Sequence, residues 1–198
     1  MEKSTAAGSY QLTGIMETGA GLELYPDGKF DFYYVYGAID RHAYGNWKQE
    51  GDVIMLHSPY AEKSGYDILL SEHRQQPRFT VYMPKADPFF LSMQTVYAIN
   101  GDVTEAQQGD KKGWYLFTCS QAEKIMLSND LFPDRLATID LKDRTHNHIE
   151  MAPNHDLLLI QFDDVIANLH EKGMYINSPF LKGMHGDRQF NFTRIAQG

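Results

Sequence analysis

The sequence contains one cysteine, Cys119, in 198 residues. A single thiol excludes an internal disulfide and a zinc site built on cysteines. It fits a reducing compartment without requiring one. No apolar run reaches the roughly 18–20 residues of a membrane helix, so no membrane span is expected. Positive charge is also scarce: 18 Lys and Arg face 26 Asp and Glu, a formal net charge of −8. Phosphate repels such a chain, which argues against nucleic acid and anionic membranes as partners. The opening Met1-Glu2-Lys3-Ser4-Thr5 has no apolar signal core. A periplasmic or extracytoplasmic location is expected if a leader has been removed, and a cytoplasmic one otherwise. Catalytic signatures are missing as well. There is no Walker loop and no Gly-x-Ser-x-Gly elbow. Gly19-Ala20-Gly21 opens like a dinucleotide fingerprint, but Leu24 stands where its third glycine belongs.

Aromatic residues are abundant, with 12 Tyr and 11 Phe. They favour half-buried pleated surfaces and tilt the expectation to sheet. The clearest strand is 30–36. Phe30, Phe32, Tyr34 and Tyr36 alternate with Asp31, Tyr33 and Val35, a period of two. Before it, Leu22 and Leu24 share a face, and Pro26-Asp27-Gly28 has turn chemistry: proline presets φ and glycine supplies a positive φ. The two runs read as a β-hairpin. With Gly45-Asn46-Trp47 and 53–57, the first 57 residues read as an antiparallel meander. Further strands are expected at 78–83, 95–99, 114–118, 123–127, 137–141, 145–151, 165–170, 174–176 and 189–195. The apolar run Leu157-Leu158-Leu159-Ile160 lies in 156–162, which fits a strand buried on both faces but is too short to exclude a helix. Helical turns are considered only at 121–127 and 163–171.

Gly8-x-Tyr10, Leu22-x-Leu24, Pro26-Asp27-Gly28, Phe30-x-Phe32 and Gly45-x-Trp47 together resemble the first half of a small lipocalin-like barrel of uncharacterised bacterial proteins. In such barrels a Trp in the first strand is covered by an Arg from the last. The resemblance therefore implies a closure in which Arg194 packs on Tyr10, which replaces the Trp, or on Trp47. The stretch Val96-Tyr97-Ala98-Ile99-Asn100-Gly101-Asp102, Gln108-Gly109-Asp110 and Gly113-Trp114-Tyr115-Leu116-Phe117 is similar to the β-sandwich of carboxypeptidase-regulatory and transthyretin-like proteins.

The expected fold is therefore all-β. Residues 8–76 and 154–196 form an antiparallel barrel, residues 77–153 form an inserted Ig/transthyretin-like sandwich, and residues 1–7 are a tail. The alternative is one large β-sandwich.

The aromatic stripe Phe30, Phe32, Tyr34 and Tyr36, with Tyr44 and Trp47, reads either as sheet core or as the wall of a ligand cavity. His146 and His148 are two residues apart, which on a strand points both imidazoles one way. With His155 they offer a three-histidine metal set, against which stands the reading of ordinary polar positions. Asp163-Asp164 and Glu150 are candidate calcium ligands or an acid/base pair, against which stands the reading of solvated surface carboxylates. Cys119 is a nucleophile only if a histidine stands beside it.

The function expected from these residues is non-enzymatic binding of a small apolar or aromatic molecule, or of a protein partner, with no cofactor. Two alternatives stand beside it. One is a metal-dependent hydrolase on His146, His148 and His155 with a divalent ion. The other is a structural interaction module.

Overall fold

A computed structural model describes residues 6–37, 39–59 and 64–195. The chain is all-β and divides into two compact units. The first comprises residues 1–61 and 158–198, the second 62–157.

In the first unit, β1 (Gly8–Thr13), β2 (Thr18–Leu24), β3 (Lys29–Tyr36), β4 (Ile39–Glu50) and β5 (Val53–His57) run as an antiparallel meander. The inserted unit follows. It carries β6 (Tyr66–Glu72), β7 (Thr80–Tyr82), a short helix α1 (Pro88–Ser92), β8 (Gln94–Asn100), β9 (Val103–Gln108), β10 (Trp114–Leu116), β11 (Lys124–Asn129), β12 (Leu136–Asp140) and β13 (His148–Pro153). The chain then returns through β14 (Val165–His170), β15 (Gly173–Asn177), helix α2 (Pro179–His185) and β16 (Phe190–Arg194). The order β1-β16-β15-β14-β5-β4-β3-β2 closes the sheet into an eight-stranded barrel. Closure leaves the barrel without a free edge strand. The seam is the β1–β16 ladder, with Tyr10 opposite Arg194 and Leu12 opposite Phe192.

Alternation fills this barrel. On β3, Phe30, Phe32 and Tyr34 point inward and are buried, while Asp31, Tyr33 and Val35 point out. The segment that returns from the insertion does not form the expected strand over 156–162. It starts as a single 3₁₀ turn, His155–Leu158, and then touches β4 through one bridge, Leu159 to His42. From this irregular path Ile160 and Phe162 enter the barrel core, where Phe162 stacks on Phe30 (5.6 Å) and packs on Phe32 (5.0 Å). The apolar run is therefore divided: Leu157 joins the core of the inserted unit, Leu158 is exposed, and Ile160 enters the barrel core without pairing as a strand.

Helix α2 was not expected, although its start is written locally. Ser178 caps it, its Oγ accepting from the Leu181 amide at 3.4 Å, Pro179 opens it, and Gly186 ends it at a positive φ. Its Phe180 and Leu181 join the barrel core.

The insertion forms two four-stranded sheets, β10-β7-β13-β6 and β12-β11-β8-β9. Both contribute to one apolar cluster that includes Phe79, Val81, Tyr115, Ile149, Val96, Ile125 and Leu127. The unit begins at residue 62, before the boundary expected at 77, because β6 pairs with β13 along Tyr66–Pro153 to Glu72–His148. Among the described residues no helix is long and apolar enough to cross a membrane.

Candidate functional site

The barrel interior is occupied by its own side chains. Phe30, Phe32 and Tyr34 are no more than 2% exposed, and Phe162, Phe180 and Phe192 pack against them. The aromatic stripe therefore serves as core along these three positions. Tyr36 continues their face but lies where the strand leaves the barrel, and it is exposed. Tyr44 is on the outer face of β4, between inward-facing Ala43 and Gly45. Trp47 is half-buried, and its indole N–H donates to the Tyr25 carbonyl at 2.9 Å.

Polar contacts tie down two places on the barrel. At one, the Arg194 guanidinium lies 5.8 Å from the Tyr10 ring centroid and donates to the Ala7 carbonyl at 2.5 Å. The Tyr10 hydroxyl donates to the Ala6 carbonyl at 2.7 Å. At the other, the Tyr34 hydroxyl is hydrogen-bonded at 3.0 Å to Nε2 of His185, in the last turn of α2. Burial pushes the Tyr34 phenol up to about 12. Burial first, and the nearby Arg188 second, hold the His185 imidazole below its ordinary value. The buried Arg41 lies over the Phe180 ring at 4.8 Å and donates to the Leu159 carbonyl at 3.0 Å.

One concavity lies on the outer face of the barrel. A hollow of about 430 Å³ lies over β1–β4, lined by Gly21, Asp31, Tyr33, His42, Tyr44 and Ile195 among others. Its floor follows from register. Gly21 is opposite Tyr33, Tyr33 opposite His42, and Asp31 opposite Tyr44. A Cβ on Gly21 would come within 2.2 Å of the Tyr33 ring. The missing side chain is what lets Tyr33 lie down on the sheet. Tyr33 and Tyr44 remain 49% and 43% exposed, so two aromatic rings face solvent across this hollow. The Asp31 carboxylate at its margin accepts from the Tyr25 hydroxyl at 2.9 Å. Nothing in the sequence distinguished this outer face except Tyr33 itself, since glycine opposite tyrosine is visible only once the β2–β3 register is known.

The structure does not assemble the three histidines of the expected metal set. His148 is fully buried, with Nδ1 2.8 Å from the Thr80 hydroxyl and Nε2 3.3 Å from Glu150. His146 contacts the Ser71 hydroxyl at 2.8 Å and Asp143 at 3.4 Å. His155 is exposed and sits 3.2 Å from Asp156. Among the described residues, the cluster whose ligand atoms all lie within 4.8 Å of one another is His57, Asp163 and Asp164, all exposed. There His57 Nδ1 is 3.1 Å from Asp164, one step beyond the Leu56–Val165 pair of the β5–β14 ladder. Cys119 is partly buried. Burial and the Glu105 carboxylate push its thiol up, which keeps it protonated and poor as a nucleophile.

No protein-family model matches the chain, and no curated protein matches it.

Proposed function

We propose that the chain is a binding protein of lipocalin-like architecture that holds its ligand on the outside of the barrel. The observation that carries this reading is the hollow over Gly21 with Tyr33 and Tyr44 exposed around it. Flat aromatic rings facing solvent offer stacking surface at little entropic cost, because the β-sheet beneath already fixes them. Glu23 and Asp31 bring carboxylates to the same hollow, on a chain of net charge −8. Rings and carboxylates together favour a small planar molecule with an apolar face and a positive charge, through stacking and cation–π attraction. The interior of this barrel is side-chain core, so its part is to make the outer face rigid.

A titration with thioflavin T, a planar cationic dye, against anionic anilinonaphthalene sulfonate tests the reading. The cationic dye is expected to bind and the anionic one not. Tyr33→Ala is expected to weaken binding by about tenfold, corresponding to ~1–1.5 kcal/mol of lost aromatic contact. Equal binding of both dyes, or binding unaltered in Tyr33→Ala, would refute it.

A further inference from the structure

His146, which the sequence offers as a metal ligand, stands in a different chemical arrangement. It lies between a hydroxyl and a carboxylate. Its Nδ1 is 2.8 Å from Ser71 Oγ, and its Nε2 is 3.4 Å from Asp143 Oδ2. Two local structures deliver these groups, strand β6 and the turn that leads into β13. Ser71 comes from β6, one of the two edge strands of its sheet. His146 lies just before β13, the strand that pairs with β6. Asp143 comes from the turn closed by the His146 amide donating to the Asp143 carbonyl at 3.3 Å. The carboxylate is itself held. The Thr145 amide and hydroxyl donate to Asp143 Oδ1 at 2.9 and 2.6 Å, which leaves Oδ2 turned to the imidazole. The same two donors keep the Asp143 carboxyl below the usual carboxylate range.

We infer that Ser71, His146 and Asp143 form a nucleophile–base–carboxylate relay able to transfer acyl groups from small activated esters.

A second hydroxyl–imidazole–carboxylate row in the same unit shows what separates a working relay from a structural one. Thr80, His148 and Glu150 have the same order, but the hydroxyl and the imidazole are both buried, with the His148 side chain 0% exposed. His146 is 28% exposed, Asp143 is 52% exposed, and Ser71 is half-buried, so all three members of this row lie at least partly open to solvent. The diagnostic geometry for an activated nucleophile is a base within hydrogen-bond reach, oriented in turn by a third group. The Asp143 carboxylate stands at ion-pair distance from Nε2, where its charge favours the imidazolium that forms when Nδ1 takes the Ser71 proton. The long Nε2 contact is of the kind that tightens when the imidazole takes up a proton. An edge strand also carries backbone N–H groups with no ladder partner, the type of donor that stabilises an oxyanion.

The step balances without a cofactor. Ser71 Oγ bonds to the ester carbonyl carbon, the carbonyl π pair moves to oxygen, and the Ser71 proton passes to His146 Nδ1. Collapse of the tetrahedral adduct breaks the bond to the leaving oxygen, which takes that proton and departs as alcohol or phenol. Water then attacks the acyl-serine by the same route, giving the acid and restoring Ser71.

Treating the full chain with a fluorophosphonate and mapping the adduct tests the assignment, together with p-nitrophenyl acetate turnover. We expect one adduct, on Ser71. Ser71→Ala and His146→Ala should lower turnover by about 100-fold or more, the usual worth of such a base, with His155→Ala unchanged. Asp143 is a positioning residue. Asp143→Asn should lower kcat with KM kept, and Asp143→Glu should restore part of it. An unlabelled wild-type protein, an adduct on another residue, or turnover indifferent to Ser71→Ala would overturn the relay. The labelling of wild-type protein decides the matter even if a variant fails to fold.

Discussion

Arg194 stands directly across the β1–β16 seam from Tyr10, with its guanidinium 5.8 Å from the ring centroid. The first and last strands of the barrel are thereby joined by a ladder and a side-chain clasp at once. Arg194→Ala removes the cation–π contact, about 0.5–1 kcal/mol at an exposed site, and the bond to the Ala7 carbonyl, about 1 kcal/mol. We expect the barrel's melting transition in calorimetry to fall by a few degrees. Gly8→Ala should act on the same clasp, since its Cβ would sit 3.0 Å from the Arg194 guanidinium at a φ of +147°. A melting temperature unchanged in both variants would show that the clasp contributes nothing.

The packed interior gives a second expectation. Phe162 lies against both Phe30 and Phe32, and its truncation leaves a void at the centre of the barrel. Phe162→Ala should cost about 3–5 kcal/mol, measured by urea unfolding. A loss below about 1 kcal/mol would mean that the barrel centre is loosely filled and has room for a ligand.

The burial of Tyr34 and His185 makes barrel stability depend on pH on both the acid and the alkaline side. His185 has a folded pKa below its ordinary 6.5, so the unfolded chain takes up the proton first. Its contribution is complete above about pH 6.5 and is lost as pH falls toward the folded value. Tyr34 is raised to about 12 from 10.0, so its contribution is complete below pH 10 and is lost between 10 and about 12. The groups facing the imidazole are Tyr34, Tyr36 and Arg188, none of them acidic. We expect His185→Gln to flatten the acid side of a melting-temperature profile and Tyr34→Phe to flatten the alkaline side. Profiles parallel to the wild type would remove these two residues from the pH dependence.

The barrel was legible where order is local. The β2–β3 hairpin is written in the alternation of 30–36 and in the turn at Pro26-Asp27-Gly28, whereas closure by 189–195 was implied by the lipocalin-like resemblance and is a ladder between the two ends of the chain. The insertion was legible as a break after residue 57, but not its edge, because β6 acquires its partner from β13, some 75 residues later. Helix α2 was missed for the opposite reason. Its Ser178-Pro179 start is plain, but seven residues give too few turns for an apolar period to show. Tyr44 and Tyr36 look identical to Tyr34 in the sequence. The parity of β4 and the end of the barrel decide that they face solvent. Ser71 was invisible as a partner of His146, since the pairing of β6 with β13 alone brings them together.

The most direct test of outer-face binding is ¹⁹F NMR of protein carrying 3-fluorotyrosine, titrated with thioflavin T. Shifts confined to Tyr33 and Tyr44, with Tyr34 unmoved, are the expected result. Movement of Tyr34 instead, or of no tyrosine at all, would place the ligand elsewhere and contradict the proposal.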